Sequence, residues 1–157
     1  MLKGIDNRLN AEVLFALRAM GHGDTLVLCD TNFPADSVAR QTMLGELLRM
    51  DNLSAAQAVA AVLSVLPLDT FVEDFAGRMQ VVGAPDRLEP VQAEVQAAIN
   101  AAEGRERLMV GIERFDFYDR AKAAYAVIQT GERRFYGCFI FRKGVIAPDS
   151  ANQQGSA

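Results

Sequence analysis

Apolar residues recur along the chain with two spacings, one typical of helices and one typical of strands. A first helix is predicted between Asn10, whose side chain can cap it, and Gly21, which favours its end. Its apolar face comprises Val13, Leu14, Leu17 and Met20. The next run, TLVLC at 25–29, is apolar at nearly every position. This predicts a strand buried on both faces, as in a parallel sheet covered by helices.

Two longer helices are predicted downstream from their capping signals. Ser54 and Gln57 have the spacing of a capping box before AAQAVAAVLSVL, and Pro67 ends that helix. Pro90 suits the first position of the next helix, which Gly104 ends. The apolar stripe of this last helix comprises Val91, Val95, Ala98, Ile99 and Ala102.

Strand-like runs separate these helices. They are RMQVV (78–82), RLMVGIE (107–113), AYAVIQTGE (124–132) and RFYGCFIFRKG (134–144), the last two around the Thr130–Gly131 turn. Asp116 and Asp119 fit the cap of a short helix over 117–123. Mixed strands and helices predict a single α/β domain over residues 1–147, with a largely parallel or mixed central sheet flanked by helices. The small polar tail, 148–157, is predicted to be disordered.

Composition narrows the function classes. The chain has 157 residues and a formal net charge of −4, which argues against a nucleic-acid or anionic-membrane partner. The amino terminus has no secretory signal pattern, so we expect a cytoplasmic protein. Cys29 and Cys138 lie in separate apolar runs and are interpreted as buried thiols. One histidine and no carboxylate cluster leave no expected metal site.

His22 is the one histidine, and it lies between Gly21 and Gly23 just past the first helix. The helix dipole and nearby Asp24 both favour an imidazolium there. A histidine can take and give a proton at neutral pH, and flanking glycines allow close approach of a ligand. The alternative interpretation is a surface-loop histidine without a function.

Two charged residues follow predicted strands. Asp30 is the first polar residue after the 25–29 strand, and Arg114 follows the 107–113 strand. Ligands of open α/β sheets bind beyond the carboxyl ends of strands, so both residues are candidates for one site at the same rim. Asp30 is equally consistent with an Asx-type turn that bonds its own backbone.

The remaining candidates are aromatic or small. Tyr118 carries a hydroxyl that needs a partner if it is buried. Alternation along the last strand points Tyr136 and Cys138 to one face and Gly137 to the other, with core packing as the default role. No nucleophile elbow, phosphate loop, dinucleotide fingerprint or zinc signature is present. Acid–base chemistry or plain binding is what this set of residues favours.

Several separated motifs resemble one known family. MLKGIDNRLNAEVLFALRAMGHGDTLVLCDTNFPA (1–35) is similar to the amino terminus of the L-fucose mutarotase and D-ribose pyranase family. IERFDFYDRAKAAYAVIQTGERRFYGCFIFRKGVI (112–146) resembles the carboxyl-terminal signature of the L-fucose mutarotase branch, and LPLDTFVE (66–73) resembles it more loosely. The resemblance extends over nearly all of residues 1–147.

The resemblance implies an α/β fold, interconversion of the α and β anomers of L-fucose, and no cofactor. It also implies a homo-oligomer, commonly a decameric ring in bacteria, with pockets near subunit boundaries. His22 would be the proton donor. The sugar would be bound by Asp30, Arg114 and the stretch Tyr136–Gly137. Tyr118 and Tyr136 would add hydroxyls, and their rings would cover the apolar face of a deoxy sugar.

The sequence departs from this family at Cys138, where the family usually has Asn after Tyr–Gly. An amide offers two donors and an acceptor, while a thiol is a weak hydrogen-bond partner. The departure concerns substrate preference more than chemistry. Two alternatives therefore stay open: pyranose–furanose exchange of D-ribose, and a sugar-binding or transport-accessory protein without catalysis.

Overall fold

A computed structural model describes residues 1–148, and the predicted disordered tail from residue 149 onward lies outside the described residues. The helices are α1 (Ala11–Ala19), α2 (Ala35–Ala39), α3 (Ala55–Leu63), α4 (Pro90–Glu103) and α5 (Arg114–Lys122). The strands are β1 (Thr25–Cys29), β2 (Leu47–Met50), β3 (Ala76–Met79), β4 (Val110–Ile112), β5 (Ala126–Thr130) and β6 (Phe139–Arg142).

The strands form one mixed sheet in the order β2-β5-β1-β6-β3-β4. β6 runs antiparallel to both of its neighbours, β1 and β3, while the other pairs are parallel. The carboxyl ends of β1, β3 and β4 therefore lie at one edge of the sheet, together with the start of β6. This confirms the predicted α/β class with a mixed central sheet.

Helices cover the two faces of the sheet around β1. Leu26 and Leu28 point into a core shared with α1, α3 and α4. Val27 and Cys29 point into the opposite core, against α2 and α5. Because side chains alternate along a strand, this packing buries β1 on both faces, as its unbroken apolar run predicts.

Local capping chemistry explains why several predicted helices were placed correctly. The Asn10 side chain accepts the Val13 N–H, and the Ser54 and Gln57 capping box begins α3. Gly104 ends α4 in the left-handed conformation, with φ of 68°.

Three local predictions were wrong. Helix α5 begins at Arg114 instead of residue 117, because the Glu113 carboxylate accepts the N–H groups of Phe115 and Asp116 and caps it. Strand β3 lies at Ala76–Met79, earlier than predicted, and β6 begins at Phe139, so that Tyr136, Gly137 and Cys138 precede this strand instead of alternating along it. In addition, α2 and β2 were not predicted.

The two strand-like runs around Thr130–Gly131 do not pair with each other. β5 and β6 lie on opposite sides of β1, so the chain crosses from one side of the central strand to the other. Within residues 1–148, no helix is long and apolar enough to cross a membrane.

Candidate active site

The loop that carries His22 lies at the end of the sheet where β1 begins. The Gly21 N–H donates to the Asp24 carboxylate at 2.7 Å, and the Gly23 N–H donates to the Lys143 carbonyl at 2.9 Å. Gly23 has φ of 87°, which lets the chain turn tightly here. The Lys143 ammonium donates to carbonyl oxygens at the end of α1, including that of Leu17 at 2.7 Å. These contacts fix the loop on the end of the helix.

His22 is held by Asp69. The His22 Nε2 and Asp69 Oδ2 atoms are 3.1 Å apart, and the His22 side chain is 47% exposed while that of Asp69 is 5% exposed. The second Asp69 oxygen accepts the Phe71 N–H at 3.2 Å, and the Phe71 ring meets the imidazole edge-on. A buried carboxylate thus orients a solvent-facing imidazole, which leaves Nδ1 turned away from Asp69.

A pocket of about 240 Å³ lies at the opposite edge of the sheet, where β1 ends. Its lining combines polar side chains with aromatic and aliphatic ones: Asp30, Asn32, Phe33, Met79, Val82, Arg114, Tyr118, Phe135, Tyr136 and Cys138. The volume is below the roughly 300–1,000 Å³ of sites for drug-sized ligands, so the pocket suits a small polar ligand with one apolar face.

Asp30 forms part of the pocket wall. One carboxylate oxygen accepts the N–H groups of Asn32 at 3.0 Å and Phe33 at 3.1 Å. The other accepts the Gly137 N–H at 3.0 Å and the Cys138 thiol at 3.5 Å. A carboxylate accepts about four hydrogen bonds, so these partners, with a residue only 3% exposed, occupy its capacity. The Asx-turn interpretation therefore describes half of its bonding.

Gly137 is required by its neighbours. A Cβ at this position would lie 2.9 Å from Glu132 Cγ and 3.3 Å from Asp30 Cβ. Glu132 is itself buried, and it is held by the Arg134 guanidinium and by the Ala55 N–H at the start of α3. Hydrogen bonds from Arg134 lower the pKa of Glu132 to about 2. A side chain at Gly137 has no room to enter.

Arg114 and Tyr118 lie one helical turn apart on α5, at the pocket mouth. The exposed Arg114 guanidinium carbon lies 5.7 Å from the centre of the Tyr118 ring, and Tyr118 stacks on Phe33 with centroids 5.4 Å apart. Contact with the Tyr118 side chain raises the pKa of Arg114. The structure thus places Arg114 at the same rim as Asp30.

Tyr136 and Cys138 both face the pocket. The Tyr136 hydroxyl accepts the Val82 N–H at 3.2 Å, which leaves its own proton free to donate. Burial raises the pKa of the Cys138 thiol well above its usual value, and Asp30 adds to the effect. Cys138 is therefore a protonated donor and not a nucleophile. Cys29 and Cys138 are both free and buried thiols, as predicted.

His22 and Asp30 do not meet within one chain. His22 precedes β1 and Asp30 follows it, and the strand alone spans about 16 Å at about 3.3 Å per residue. Within one chain, therefore, the carboxylate that contacts the His22 imidazole is that of Asp69, and Asp30 lies too far away to do so. Sequence reasoning missed Asp69, whose only signal was its place in the loosely matching LPLDTFVE segment.

Metal-ligand geometry is absent from the part of the chain that the structure describes, where no three His, Cys, Asp or Glu side chains cluster to hold an ion.

Comparisons with known proteins agree over nearly all of the described residues. The sequence model of the RbsD / FucU transport protein family matches residues 3–146. The fucose mutarotase of Homo sapiens is 45% identical over 149 residues, which is 93% of this chain and 95% of that protein.

Two solved structures match this chain over nearly its whole length. The crystal structure of protein Atu2016 is 67% identical, with a TM-score of 0.92 over 94% of this chain and 97% of that one. The fucose mutarotase of Streptococcus pneumoniae, crystallised in complex with L-fucose, is 32% identical, with a TM-score of 0.83 over 93% of this chain and 100% of that one.

Proposed function

Because the chain belongs to the RbsD / FucU transport protein family, we propose that it interconverts the α and β anomers of L-fucose. Relatives similar over nearly their whole length are named fucose mutarotases, and one was crystallised with L-fucose. The observation in this chain that carries the proposal is the half-exposed imidazole of His22 on the buried carboxylate of Asp69. An imidazole can donate and accept a proton, and proton transfers are what ring opening and closure need from a catalyst.

The reaction opens and closes the sugar ring. A proton goes to the ring oxygen, and the anomeric hydroxyl gives its proton to solvent water. The bond between the anomeric carbon and the ring oxygen breaks, which gives the open-chain aldehyde. Rotation about one carbon–carbon bond and the reverse proton transfers give the other anomer. His22 supplies the proton to the ring oxygen, and Asp69 holds the imidazole in position. No electrons or groups leave the sugar.

The pocket binds the sugar in this proposal. Arg114 presents several N–H donors at the rim, which suit adjacent hydroxyls. The Tyr118 and Phe33 rings offer a face for the C–H groups and methyl of a deoxy sugar. The Tyr136 hydroxyl donates to the sugar, while Asp30 with Gly137 and Cys138 forms the wall behind it.

A complete site requires two subunits, since His22 lies at one end of β1 and the pocket at the other. Large apolar side chains are exposed at both places: Phe71 beside His22 is 74% exposed, and Phe115 and Phe135 near the pocket are 70% and 74% exposed. Contact between these unlike surfaces is heterologous, and a heterologous contact that closes gives a ring. We therefore propose a homo-oligomer, with the decamer as its expected size.

Mixed oligomers test the shared site. The His22→Ala and Arg114→Ala variants are each expected to be nearly inactive as homo-oligomers when L-fucose is kept below the wild-type KM, because one removes the acid and the other weakens sugar binding. Refolding the two together is expected to restore part of the activity, since some contacts then join an intact His22 to an intact pocket. Light scattering gives the oligomer size. Mixed oligomers as inactive as their parents would overturn the shared site.

Saturation-transfer NMR tests the activity directly. The anomeric proton of one L-fucose anomer is saturated, and loss of signal from the other reports exchange. Exchange faster than the buffer rate at micromolar protein is expected. D-Ribose is measured in parallel, so that faster pyranose–furanose exchange of ribose alone would reassign the substrate. Saturable L-fucose binding without faster exchange would show a sugar-binding protein and contradict the proposed mutarotase activity.

A further inference from the structure

Tyr136 has an unusual backbone conformation at the pocket. Its φ is +61°, and it is the one non-glycine residue with positive φ among residues 1–148. A bulky aromatic residue rarely adopts this conformation, because its Cβ crowds the neighbouring carbonyl. Backbone strain of this kind persists only where surrounding groups hold it, and it is typical of ligand sites.

The peptide between Tyr136 and Gly137 is held at both of its polar ends. Its N–H, on Gly137, donates to Asp30 Oδ2 at 3.0 Å. Its carbonyl oxygen, on Tyr136, accepts Nε2 of Gln92 at 3.2 Å. Asp30 was a candidate from the sequence, while Gln92 is a second partner on the other end of the same peptide.

The Gln92 amide has no spare capacity. It is fully buried, and its second N–H donates to the Met79 carbonyl at the end of β3 at 2.8 Å. Its oxygen accepts the Glu89 N–H at 3.2 Å and an N–H of the Arg78 guanidinium at 3.5 Å. A glutamate would set an acceptor against two carbonyl oxygens, and an apolar residue would leave both without a donor. Among side chains of this length, glutamine is the one that donates to both carbonyls and accepts the Glu89 N–H.

Gln92 also connects the Tyr136 carbonyl to the segment that contacts the Tyr136 hydroxyl. Met79 is followed, three residues later, by Val82, whose N–H donates to the Tyr136 hydroxyl. One segment, 79–82, thus contacts Gln92 at its start and the phenol at its end. Movement of the Tyr136 carbonyl away from Gln92 changes where the ring enters the pocket.

We infer that Gln92 is a positioning residue for sugar binding: it holds the Tyr136 peptide in its left-handed conformation and so places the phenol in the pocket. The inference rests on the proposed function for its effect on the sugar, but its effect on Tyr136 is independent of any activity. Gln92 contacts no substrate, so it acts on binding through Tyr136 and not on the proton transfer at His22.

Gln92→Met and Gln96→Met form a matched pair. Gln96 lies one turn later on α4, and its amide also bonds backbone groups, those of Arg107 and Met109, away from the pocket. Both variants are expected to lower the melting temperature. Gln92→Met is expected to raise KM for L-fucose about tenfold with kcat within about twofold, and Gln96→Met to leave KM unchanged. Equal KM changes in the two variants would overturn the inference.

A double variant tests the route. In a Tyr136→Ala background, Gln92→Met is expected to add nothing to KM, because the residue through which it acts is gone. A further rise in KM there would show that Gln92 acts by another route. Gln92→Asn, whose amide is one methylene too short to reach both carbonyls, replaces Gln92→Met if the latter fails to fold, with the same expected rise in KM.

Carbon-13 labelling of the tyrosine rings gives a readout without substrate. The chain has three tyrosines, and Gln92→Met is expected to shift the ring signal of Tyr136 but not that of Tyr125. An unchanged Tyr136 signal overturns the positioning role. If wild-type protein fails to exchange L-fucose, the proposed function fails, while this measurement still decides whether Gln92 positions Tyr136.

Discussion

The two ends of β1 are built in different ways. At its carboxyl end the chain closes a pocket, and the Asp30 carboxylate bonds four partners from two segments. At its amino end a single half-exposed imidazole is held through one nitrogen by Asp69. The first arrangement is complete within one chain. The second presents an outward-facing imidazole, which is the proposed proton donor.

From this difference we expect proton transfer and sugar binding to respond to different substitutions. A binding pocket needs a fixed shape, which many buried hydrogen bonds provide. A general acid must reach its substrate, so it cannot be enclosed by its own chain. In the proposed oligomer a neighbour supplies the enclosure. Substitutions at the His22 end are therefore expected to alter turnover, and those at the Asp30 end to alter KM or stability.

His22→Asn gives the largest expected effect. The amide keeps much of the shape of the ring but cannot donate a proton at neutral pH, so exchange of L-fucose is expected to fall by about 10²–10⁴-fold. The sugar affinity, measured by calorimetry, is expected to stay within about threefold, since hydroxyl recognition lies at the other end. Activity close to that of the wild type would remove His22 from the mechanism.

Asp69→Asn is expected to have a smaller effect in the same direction. The neutral amide bonds Nε2 more weakly than the carboxylate does and so orients the imidazole less firmly, and kcat is expected to fall about tenfold with KM unchanged. Asp74→Asn serves as the control. Asp74 lies on the same segment as Asp69, but it pairs with Arg142 and does not contact His22. An equal loss of kcat in both variants would mean that the segment, and not the carboxylate on His22, matters.

Sequence patterns predicted the parts of the fold that local chemistry determines. The caps at Asn10 and Ser54 and the first-turn Pro90 bond or fix residues within one helical turn, so nearby sequence identifies them. Strand β2 was missed because it is four residues long and depends on pairing with β5, which lies far along the chain.

The site was predicted where a residue's role follows from its own strand or helix, and missed where it depends on a distant partner. Asp30 follows β1 directly, and position alone made it a candidate. Asp69 meets His22 from 47 residues away, because the chain next to it pairs with Lys143. In the sequence, Gln92 is a polar residue on a helix like several others. Its hydrogen-bond partners are carbonyl groups on other elements, which the nearby sequence does not indicate.

Glu132→Gln tests how far the pocket end depends on the ion pair between the buried Glu132 and the half-exposed Arg134. Arg134 lowers the pKa of Glu132 from 4.5 to about 2. The ion pair therefore stabilises the fold fully above pH 4.5, and this contribution is lost as the pH falls towards 2. Near neutral pH the variant is expected to lose about 2 kcal/mol of unfolding free energy. This difference from the wild type is expected to narrow in acid.

Urea denaturation at a series of pH values measures the Glu132 effect. Glu94→Gln is the control, because Glu94 binds the same guanidinium from an exposed position and is expected to contribute less than about 0.5 kcal/mol. A difference between Glu132→Gln and wild type that stays constant down to pH 2 would contradict the assigned ion pair.

Cys138→Asn is the smallest expected change and the finest test of the two ends. The thiol spends its one donor on Asp30, while an amide there has a second N–H for a sugar hydroxyl, so KM for L-fucose is expected to fall about threefold with kcat unchanged. Cys29→Ser is the control: that thiol points into the same core but bonds the Ile128 carbonyl and does not line the pocket. A changed kcat in Cys138→Asn would show that the pocket wall affects the proton transfer. It would contradict the expectation that the two ends of β1 control binding and turnover separately.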